Sequence, residues 1–273
     1  DKVWRIVRIN GDGSIRLILD DVAKDTSGNA IKTAFNTNSN DNAYIGYMYG
    51  TPGSATYETT HENKNDSTVK VAVDKWYEDN LKTNYANYLA DTLFCGDKTF
   101  AKNGLGGVTT QLGYSTNRTY YSPTERHRYS SGTTIITTSI PTFKCAEKAN
   151  DNYSRYTVNQ STLPDAKETN GNLKYPIGLL TVDEAAYAGA YKYSQENKTY
   201  YLYNASIKTR WWLLSPFYFG SYAGNWYVNY SNGYIYDDYV DSSYNIRPTI
   251  NLKNDVKFTG TGTSTDAYKI VSE

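Results

Sequence analysis

The sequence of 273 residues has little of what membrane proteins and many enzymes need. It has no run approaching the roughly 18 apolar residues of a membrane-spanning helix, so nothing in it predicts direct membrane insertion. Its two histidines, His61 and His127, have no metal-ligand residue two or four positions further on. The patterns HExxH, CxxC, GxSxG and the P-loop are absent. We therefore expect no metal, no cofactor and no enzymatic activity.

A net charge is also missing, because 28 basic residues are balanced by 28 acidic ones. No basic stripe interleaved with aromatic residues occurs, which argues against nucleic acid and anionic membranes as partners. The chain begins at Asp1 and not at Met, so we expect that a signal peptide or an anchor precedes the residues given.

Cysteine is rare. The two cysteines, Cys95 and Cys145, lie about fifty residues apart. An isolated pair fits one disulfide of an exported protein, which would stabilise the fold by roughly 4 kcal/mol in the chain-entropy picture. The alternative is a pair of buried free thiols in a cytosolic protein.

Tyrosine, in contrast, is in excess, with 29 residues against seven Phe and five Trp. A tyrosine ring covers a large apolar area while its hydroxyl can stay in water. The excess therefore favours surfaces and interfaces over a hidden core.

The regular elements predicted from the pattern are short. Alternation on both sides of Asn10-Gly11-Asp12-Gly13 predicts a β-hairpin made of Trp4 to Ile9 and Ile15 to Leu19. Ser67 caps an amphipathic helix with apolar positions at helical spacing up to Leu81. Thr181-Val182-Asp183-Glu184 is a capping box that begins a second helix running to Ala188.

From Thr199 onward the pattern predicts short strands and turns. We expect the last of them, Tyr268 to Val271, to pair with the opening hairpin and bring the two ends of the chain together.

The tyrosine-rich segment, residues 217–245, has the most unusual composition. Eight of its 29 residues are Tyr, four Asn, four Ser and three Asp, and none is Lys, Arg, Glu or Gln. Antibody paratopes are built from similar residues, because Tyr gives rigid contact area while Ser and Asn give adaptable hydrogen bonds. The composition predicts a ligand-binding surface.

A hairpin should display this surface. Asn232-Gly233 predicts a two-residue turn between Tyr227 to Ser231 and Tyr234 to Asp238. The strand period of two then assigns one face to solvent, made of Tyr227, Asn229, Ser231, Tyr234, Tyr236 and Asp238. The other face, made of Trp226, Val228, Tyr230 and Ile235, is assigned to the core.

The residues that bracket the segment resemble a known family. Trp211-Trp212-Leu213-Leu214-Ser215-Pro216 precedes it, and Ile246-Arg247-Pro248 with an apolar strand follows it. The helix from Thr181 and the opening Trp4 to Gly13 are similar too. This combination resembles bacterial surface proteins of the C-type lectin fold. Within that group it resembles the variable proteins diversified by retroelements, some of them on pilin-like or lipid-anchored stalks. The likeness covers most of the chain except roughly residues 96–170.

This resemblance implies an α+β fold of the C-type lectin type, in one domain over residues 1–273. Such a fold would have two amphipathic helices, small antiparallel sheets, and paired N- and C-terminal strands. It also implies a monomeric extracellular domain, tethered to the cell surface, that binds a protein or glycan on another cell, a phage or a host.

In that family, reverse transcription changes adenines, chiefly in Asn codons, to give Asn, Asp, Tyr and Ser among others. The resemblance implies that Trp211, Trp212 and Arg247 are scaffold. The diversified, ligand-facing residues that it implies are Tyr218, Ser221, Tyr222, Asn225, Tyr227, Asn229, Tyr234, Tyr236, Asp237, Asp238, Tyr239, Asp241, Ser243 and Tyr244.

Other interpretations stay open. The tyrosines of a structural surface or pilus subunit would pack against neighbouring copies. An A/T-rich genome would inflate the number of Tyr and Asn residues, although it should inflate the number of Lys residues as well.

The Asx-rich stretch Asn36 to Asn42 and Asp237-Asp238 offer oxygen ligands for calcium, but the carboxylate motifs of calcium-dependent lectins are absent. The charged run Thr124 to Arg128 invites a general-base role, and we interpret it as a solvated loop.

Overall fold

A computed structural model of the protein describes the residues 2–101, 112–127, 130–131, 134–135, 140–145, 153–160, 170–191, 197–263 and 265–271. Among these described residues, strands account for 27% and helices for 19%. The fold is therefore mostly β.

Most strands in the described residues are short. In chain order they are β1 (Trp4–Ile9), β2 (Ile15–Leu19), β3 (Lys32–Ala34), β4 (Met48–Tyr49), β5 (Asn65–Asp66), β6 (Phe94–Cys95), β7 (Thr119–Tyr120), β8 (Ser130–Ser131), β9 (Thr134–Ile135), β10 (Arg155–Tyr156), β11 (Ile177–Gly178), β12 (Trp211–Phe219), β13 (Ala223–Val228), β14 (Ile235–Tyr239), β15 (Ser243–Asn245), β16 (Thr249–Leu252), β17 (Phe258–Thr259) and β18 (Lys269–Ile270).

The α-helices of the same residues are α1 (Tyr57–His61), α2 (Thr68–Asn80), α3 (Lys82–Tyr85), α4 (Ser122–His127) and α5 (Val182–Tyr187). Both predicted N-caps are confirmed. The Ser67 hydroxyl accepts from the Lys70 amide, and Thr181 and Glu184 form a complete capping box.

The prediction of an α+β fold of the C-type lectin type is wrong. Of the described α-helices, α2 has 13 residues and the others have six or fewer. The helix begun by Thr181 ends at Tyr187 with Ala188 as its C-cap, close to the predicted end, and Gly189 follows with a left-handed backbone at φ of 106°. The described helices are thus too short to form a layer of their own.

The first sheet has the strand order β1-β2-β16-β11. The predicted opening hairpin is confirmed, with Ile9 opposite Ile15 across the turn. The predicted pairing of Tyr268 to Val271 with that hairpin is wrong. Strand β18 pairs with β17, and the free edge of β2 is taken by β16, where Ile250 lies opposite Leu17. Both of these side chains are buried, so this pairing adds to the core.

The second sheet has the order β14-β13-β12-β15-β3, and β7 pairs with β12 beside that path. It lies between two apolar clusters. Trp212 and Tyr227 belong to one of them, and Trp226 and Val228 belong to the other. Strands β12 and β13 are therefore covered on both faces.

A disulfide joins Cys95 and Cys145, with 5.6 Å between their Cα atoms. The predicted disulfide is confirmed, and the alternative of two free thiols is excluded. It attaches the segment around Cys145 to β6, which pairs with β10.

Candidate ligand-binding surface

The tyrosine-rich segment contains β13, β14, β15 and the end of β12, and β14 is the outermost of these strands in the second sheet. Strand β14 pairs with β13 on one side, and no described strand pairs with its other side. At the start of that open edge the Ile235 amide donates to the Tyr191 carbonyl at 3.0 Å. The backbone from Tyr236 to Tyr239 continues along the edge without a further strand.

The hairpin exists, but its register differs from the prediction. Tyr227 lies opposite Tyr236, which is two residues away from the predicted pairing with Asp238. The turn is longer than predicted, since the Asn229 amide still donates to the Tyr234 carbonyl at 2.8 Å. A shift by two residues keeps each side chain on its predicted face.

Gly233 explains the longer turn. Its φ is 76°, and a Cβ placed on it would lie 1.8 Å from the Asn197 carbonyl oxygen. Only glycine fits both the left-handed backbone and this close approach.

Burial divides the fourteen predicted ligand-facing residues. Asn225, Tyr227 and Tyr244 are buried, with 0%, 3% and 8% exposure, so the prediction that they face a ligand is wrong. Tyr230, assigned to the core, is instead exposed. The other eleven are exposed or half-buried and are called the display surface: Tyr218, Ser221, Tyr222, Asn229, Tyr234, Tyr236, Asp237, Asp238, Tyr239, Asp241 and Ser243.

The buried members support this surface from below. The Trp212 ring centre lies 4.7 Å from that of Tyr244 and 6.4 Å from that of Tyr227, and its indole nitrogen donates to the Thr33 carbonyl at 3.0 Å. Asn225 is enclosed between β12 and β14, and its side-chain nitrogen can donate to the Ile45 carbonyl at 3.1 Å. Trp212 and Asn225 thus have hydrogen-bond partners within the fold, as buried polar groups require.

One side of the display surface carries a hydrogen-bonded chain of three residues. The Arg210 guanidinium donates to the Tyr244 hydroxyl at 2.8 Å, and that hydroxyl donates to the Asp238 carboxylate. The same guanidinium lies 5.3 Å from the ring centre of Tyr227 and 5.4 Å from that of Tyr244.

This chain changes the titration of its members. Burial, and then the hydrogen bond to Asp238, raise the pKa of Tyr244 to about 12. Burial alone would lower the pKa of Arg210, but the hydrogen bond to Tyr244 and the surrounding oxygens raise it. Arg210 is therefore a permanent cation and Tyr244 a neutral phenol at any physiological pH.

The other side of the surface is more open. Tyr222 and Tyr239 are 48% and 46% exposed, and their rings meet edge to face with 5.3 Å between centres. Nearby, the Asp241 carboxylate accepts from the Ser39 hydroxyl at 3.0 Å. Tyr218 continues the aromatic area, stacked on Tyr120 at 5.4 Å.

The three residues predicted as scaffold lie in the core. Trp211 and Trp212 are 3% and 0% exposed, and Arg247 is 1% exposed. The Arg247 side chain donates to the carbonyls of Leu19 and Leu202, each at 3.0 Å, and its guanidinium lies over the Trp211 ring.

A second candidate site, missed by sequence reasoning, is a polar cleft of about 70 Å³ beside α5. Arg126 joins Asp97 and Asp183 at 2.8 Å each, and Arg16 joins Glu184 at 2.5 Å. Burial lowers the pKa of Arg16 to about 10, against the opposing charge of Glu184. The acidic groups Asp97, Asp183 and Glu184 are thus all paired with arginines.

The charged run Thr124 to Arg128 contributes to this cleft, and Arg128 lies outside the described residues. The interpretation of the run as a solvated loop is wrong for its helical part, because His127 is 5% exposed and its Nε2 lies 3.0 Å from Asp183. Burial alone would raise the pKa of Asp183, but hydrogen bonds from His127 and Arg126 lower it far below its usual value.

Within the described residues, no cluster of three or more His, Cys, Asp or Glu side chains is close enough to hold a metal ion. In the same part of the chain no helix has the length and apolarity needed to cross a membrane.

The comparisons with known proteins give one match. A family model described as "Domain of unknown function (DUF6273)" matches residues 117–254. This range contains the whole tyrosine-rich segment and the buried residues that bracket it. No curated protein and no solved structure matches. The matched range is half of the chain, with 138 of 273 residues counted from 117 to 254, and the chain therefore belongs to the DUF6273 family.

Proposed function

We propose that this protein is a non-catalytic ligand-binding domain of the cell exterior, and that its ligand binds to the display surface. The observation that carries the proposal is the contrast in exposure between residues of the tyrosine-rich segment. Tyr222 and Tyr239 are 48% and 46% exposed, whereas Tyr227 and Tyr244 of the same segment are buried next to Trp212.

Exposed tyrosine rings that are held in place by neighbours favour binding, because they lose little entropy when a ligand binds. A tyrosine has few rotatable bonds, so fixing it against a ligand costs little entropy, and its hydroxyl supplies a hydrogen bond at the edge of an apolar contact. Rings already held by neighbours lose still less freedom. The Tyr222–Tyr239 and Tyr120–Tyr218 pairs are held in this way.

The disulfide supports an exported protein, because disulfides persist in oxidising compartments and are rare in the cytosol. The cleft beside α5 gives less support for catalysis, since its buried carboxylates are neutralised by arginines. We therefore place function on the surface and not in the cleft.

The proposal is tested by selection from a random peptide display library and by a glycan array, each with the wild-type protein and two variants. The variant Tyr222→Ala/Tyr239→Ala removes the most exposed aromatic pair of the surface. The variant Tyr268→Ala is the control, because Tyr268 is 55% exposed but lies outside the segment. We expect ligands that bind wild type and Tyr268→Ala but not the double variant. Ligands that bind all three proteins equally would contradict the proposal.

A structural subunit that self-associates through its tyrosines is the rival, and it would pack its exposed rings, Tyr222 and Tyr239 among them, against a second copy. Sedimentation equilibrium separates the two functions. We expect a monomer at high concentration. Association that the double variant abolishes would instead establish the rival.

A further inference from the structure

Two arginines face each other where the opening hairpin meets the cleft beside α5. Arg8 of β1 lies directly opposite Arg16 of β2. Both side chains line the cleft, and Arg16 is 1% exposed. Like charges directly opposite each other destabilise an antiparallel pair of strands, and burial strengthens their repulsion because the surroundings are less polar than water. The pair therefore requires negative charge nearby.

The fold supplies one anion for these two cations. Glu184, in the first turn of α5, contacts both arginines, and its Oε1 lies 2.5 Å from Arg16 Nε and 3.3 Å from Arg8 Nη2. Within the part of the chain that the structure describes, no other carboxylate forms an ion pair with either arginine. One negative charge is thus shared by two positive charges, and one positive charge is left uncompensated.

Both guanidinium groups also have unused hydrogen-bond donors, since an arginine carries five N–H groups. Arg8 donates from Nε to the Asn10 side chain at 2.8 Å, and among the described residues its Nη1 has no acceptor. Arg16 donates from Nη1 to the Leu93 carbonyl at 3.3 Å. Its buried Nε lies close to Glu184 but makes no hydrogen bond to it. Buried donors normally have an acceptor, so a further acceptor belongs beside these two arginines.

The other carboxylates of the cleft are already held by donors of their own. Arg126 contacts Asp97 and Asp183 at 2.8 Å each. Asp97 also accepts from the Thr99 hydroxyl at 2.5 Å, and Asp183 accepts from the Thr142 amide at 3.0 Å. These two carboxylates therefore do not supply the acceptor that the arginine pair lacks.

The space beside the arginines suits a small group. The cleft measures about 70 Å³, which is room for roughly five water molecules or for one carboxylate. Phe143 lines the cleft and is 48% exposed, so the cleft opens to solvent at this ring. The Phe143 ring packs against that of Tyr187, which is 53% exposed, with 4.1 Å between their centres. A ligand whose anionic group enters the cleft would leave the rest of its body beside these two rings.

We propose that the cleft binds a small organic carboxylate, which pairs with Arg8 and Arg16 while its apolar body lies against Phe143 and Tyr187. A planar guanidinium matches a carboxylate through two parallel N–H groups. Glu184 already meets Arg16 in this way, with its two oxygens 2.5 Å from Nε and 3.4 Å from Nη2. The site goes beyond the proposed function, because the display surface keeps the partner of that function and the cleft adds a second, small ligand.

The test titrates the wild-type protein with benzoate and with benzamide, and isothermal titration calorimetry measures both affinities. Benzamide has the shape of benzoate without its charge. We expect benzoate to saturate one site and benzamide to bind about tenfold more weakly or worse, because it offers the arginines no negative charge.

The protein side is tested with Arg8→Gln, which should lower the affinity for benzoate about tenfold or more. Its melting temperature should stay close to that of wild type, because the substitution also removes the repulsion between Arg8 and Arg16. Arg8→Lys keeps the charge without the planar pair of donors, so its affinity should lie between the two. Lys24→Gln is the control, since it removes an exposed positive charge outside the cleft, and it should leave benzoate binding unchanged.

Three outcomes would overturn the site. Benzoate might fail to bind at up to about 50 mM, or bind Arg8→Gln as tightly as wild type. Benzamide could bind as tightly as benzoate, which would remove the role of charge. Inorganic phosphate could bind as tightly as benzoate, which would overturn the assignment to a carboxylate. The variant Tyr222→Ala/Tyr239→Ala should bind benzoate like wild type, so this proposal and the proposed function fail independently.

Discussion

Tyr227 and Tyr236 lie directly opposite each other on β13 and β14, with 6.0 Å between their ring centres, yet Tyr227 is buried and Tyr236 is only half-buried. The pair lies at the boundary between the buried residues of β13 and the partly exposed residues of β14. Strand β13 lies between β12 and β14, whereas β14 is the outermost described strand of the sheet. A tyrosine's position across this sheet decides whether it can touch a ligand.

The first prediction follows from this boundary. Tyr227→Ala should lower the free energy of unfolding by about 3 kcal/mol, because it leaves a cavity beside Trp212. Tyr222→Ala should change it by less than about 0.5 kcal/mol, since the ring is exposed. Urea unfolding of both variants measures the difference. Equal losses would show that Tyr222 is part of the core.

The second prediction concerns the disulfide. Cys95→Ser/Cys145→Ser should lower the free energy of unfolding by about 4 kcal/mol, because the bond closes a loop of 50 residues in the unfolded chain. Wild-type protein treated with a reductant should lose a similar amount, whereas the double variant should not respond to the reductant. A response of the variant would mean that the reductant acts elsewhere.

The third prediction concerns the buried charges beside α5. The folded-state pKa of Asp183 lies far below its unfolded value of about 3.9, so its charged form stabilises the fold above about pH 4. This stabilisation is lost as pH falls further, because the unfolded chain then binds a proton that the folded protein does not.

Asp183→Asn tests this coupling. At neutral pH the variant should lose about 3 kcal/mol or more, since Arg126 and His127 lose the buried negative charge and one of the two acceptor oxygens. The gap between wild type and variant should narrow as the pH falls from about 4 toward 2. Asp255→Asn, on an exposed carboxylate, should show no such gap. A gap that does not change with pH would contradict the assigned pKa.

The fourth prediction concerns the codons that a retroelement would diversify, if the resemblance to retroelement-diversified proteins holds. The DNA downstream should hold an imperfect repeat of the 217–245 coding region, beside a reverse transcriptase gene. Template adenines should fall on codons of the display surface and spare those of Asn225, Tyr227 and Tyr244, because these buried positions tolerate few polar replacements. Sequencing this DNA decides the matter, and template adenines concentrated on the buried codons would contradict our division of the set.

Local signals in the sequence predicted local structure well. The turn at Asn10 to Gly13, the N-cap at Ser67 and the capping box at Thr181 each depend on a few adjacent residues, and all three are confirmed. The disulfide was predictable because the chain offers one pairing only.

Long-range features were not predictable from a single sequence. Strand alternation assigned Tyr227 to a face with Tyr236 and Asp238, and the resemblance added Asn225, but neither could show that Tyr227 and Asn225 are covered by other parts of the chain, such as Ile45. The register was missed by two residues because the approach of Asn197 to Gly233 shapes the turn. Asp97, Arg126 and Asp183 lie far apart in sequence, so the cleft left no motif.

The central claim is that ligand binds to the display surface, and hydrogen–deuterium exchange tests it most directly. A selected peptide should slow amide exchange in the backbone of residues 221–223 and 236–241, and leave the cleft around Arg8 and Phe143 unchanged. Protection confined to that cleft, or absent from β14, would contradict the account.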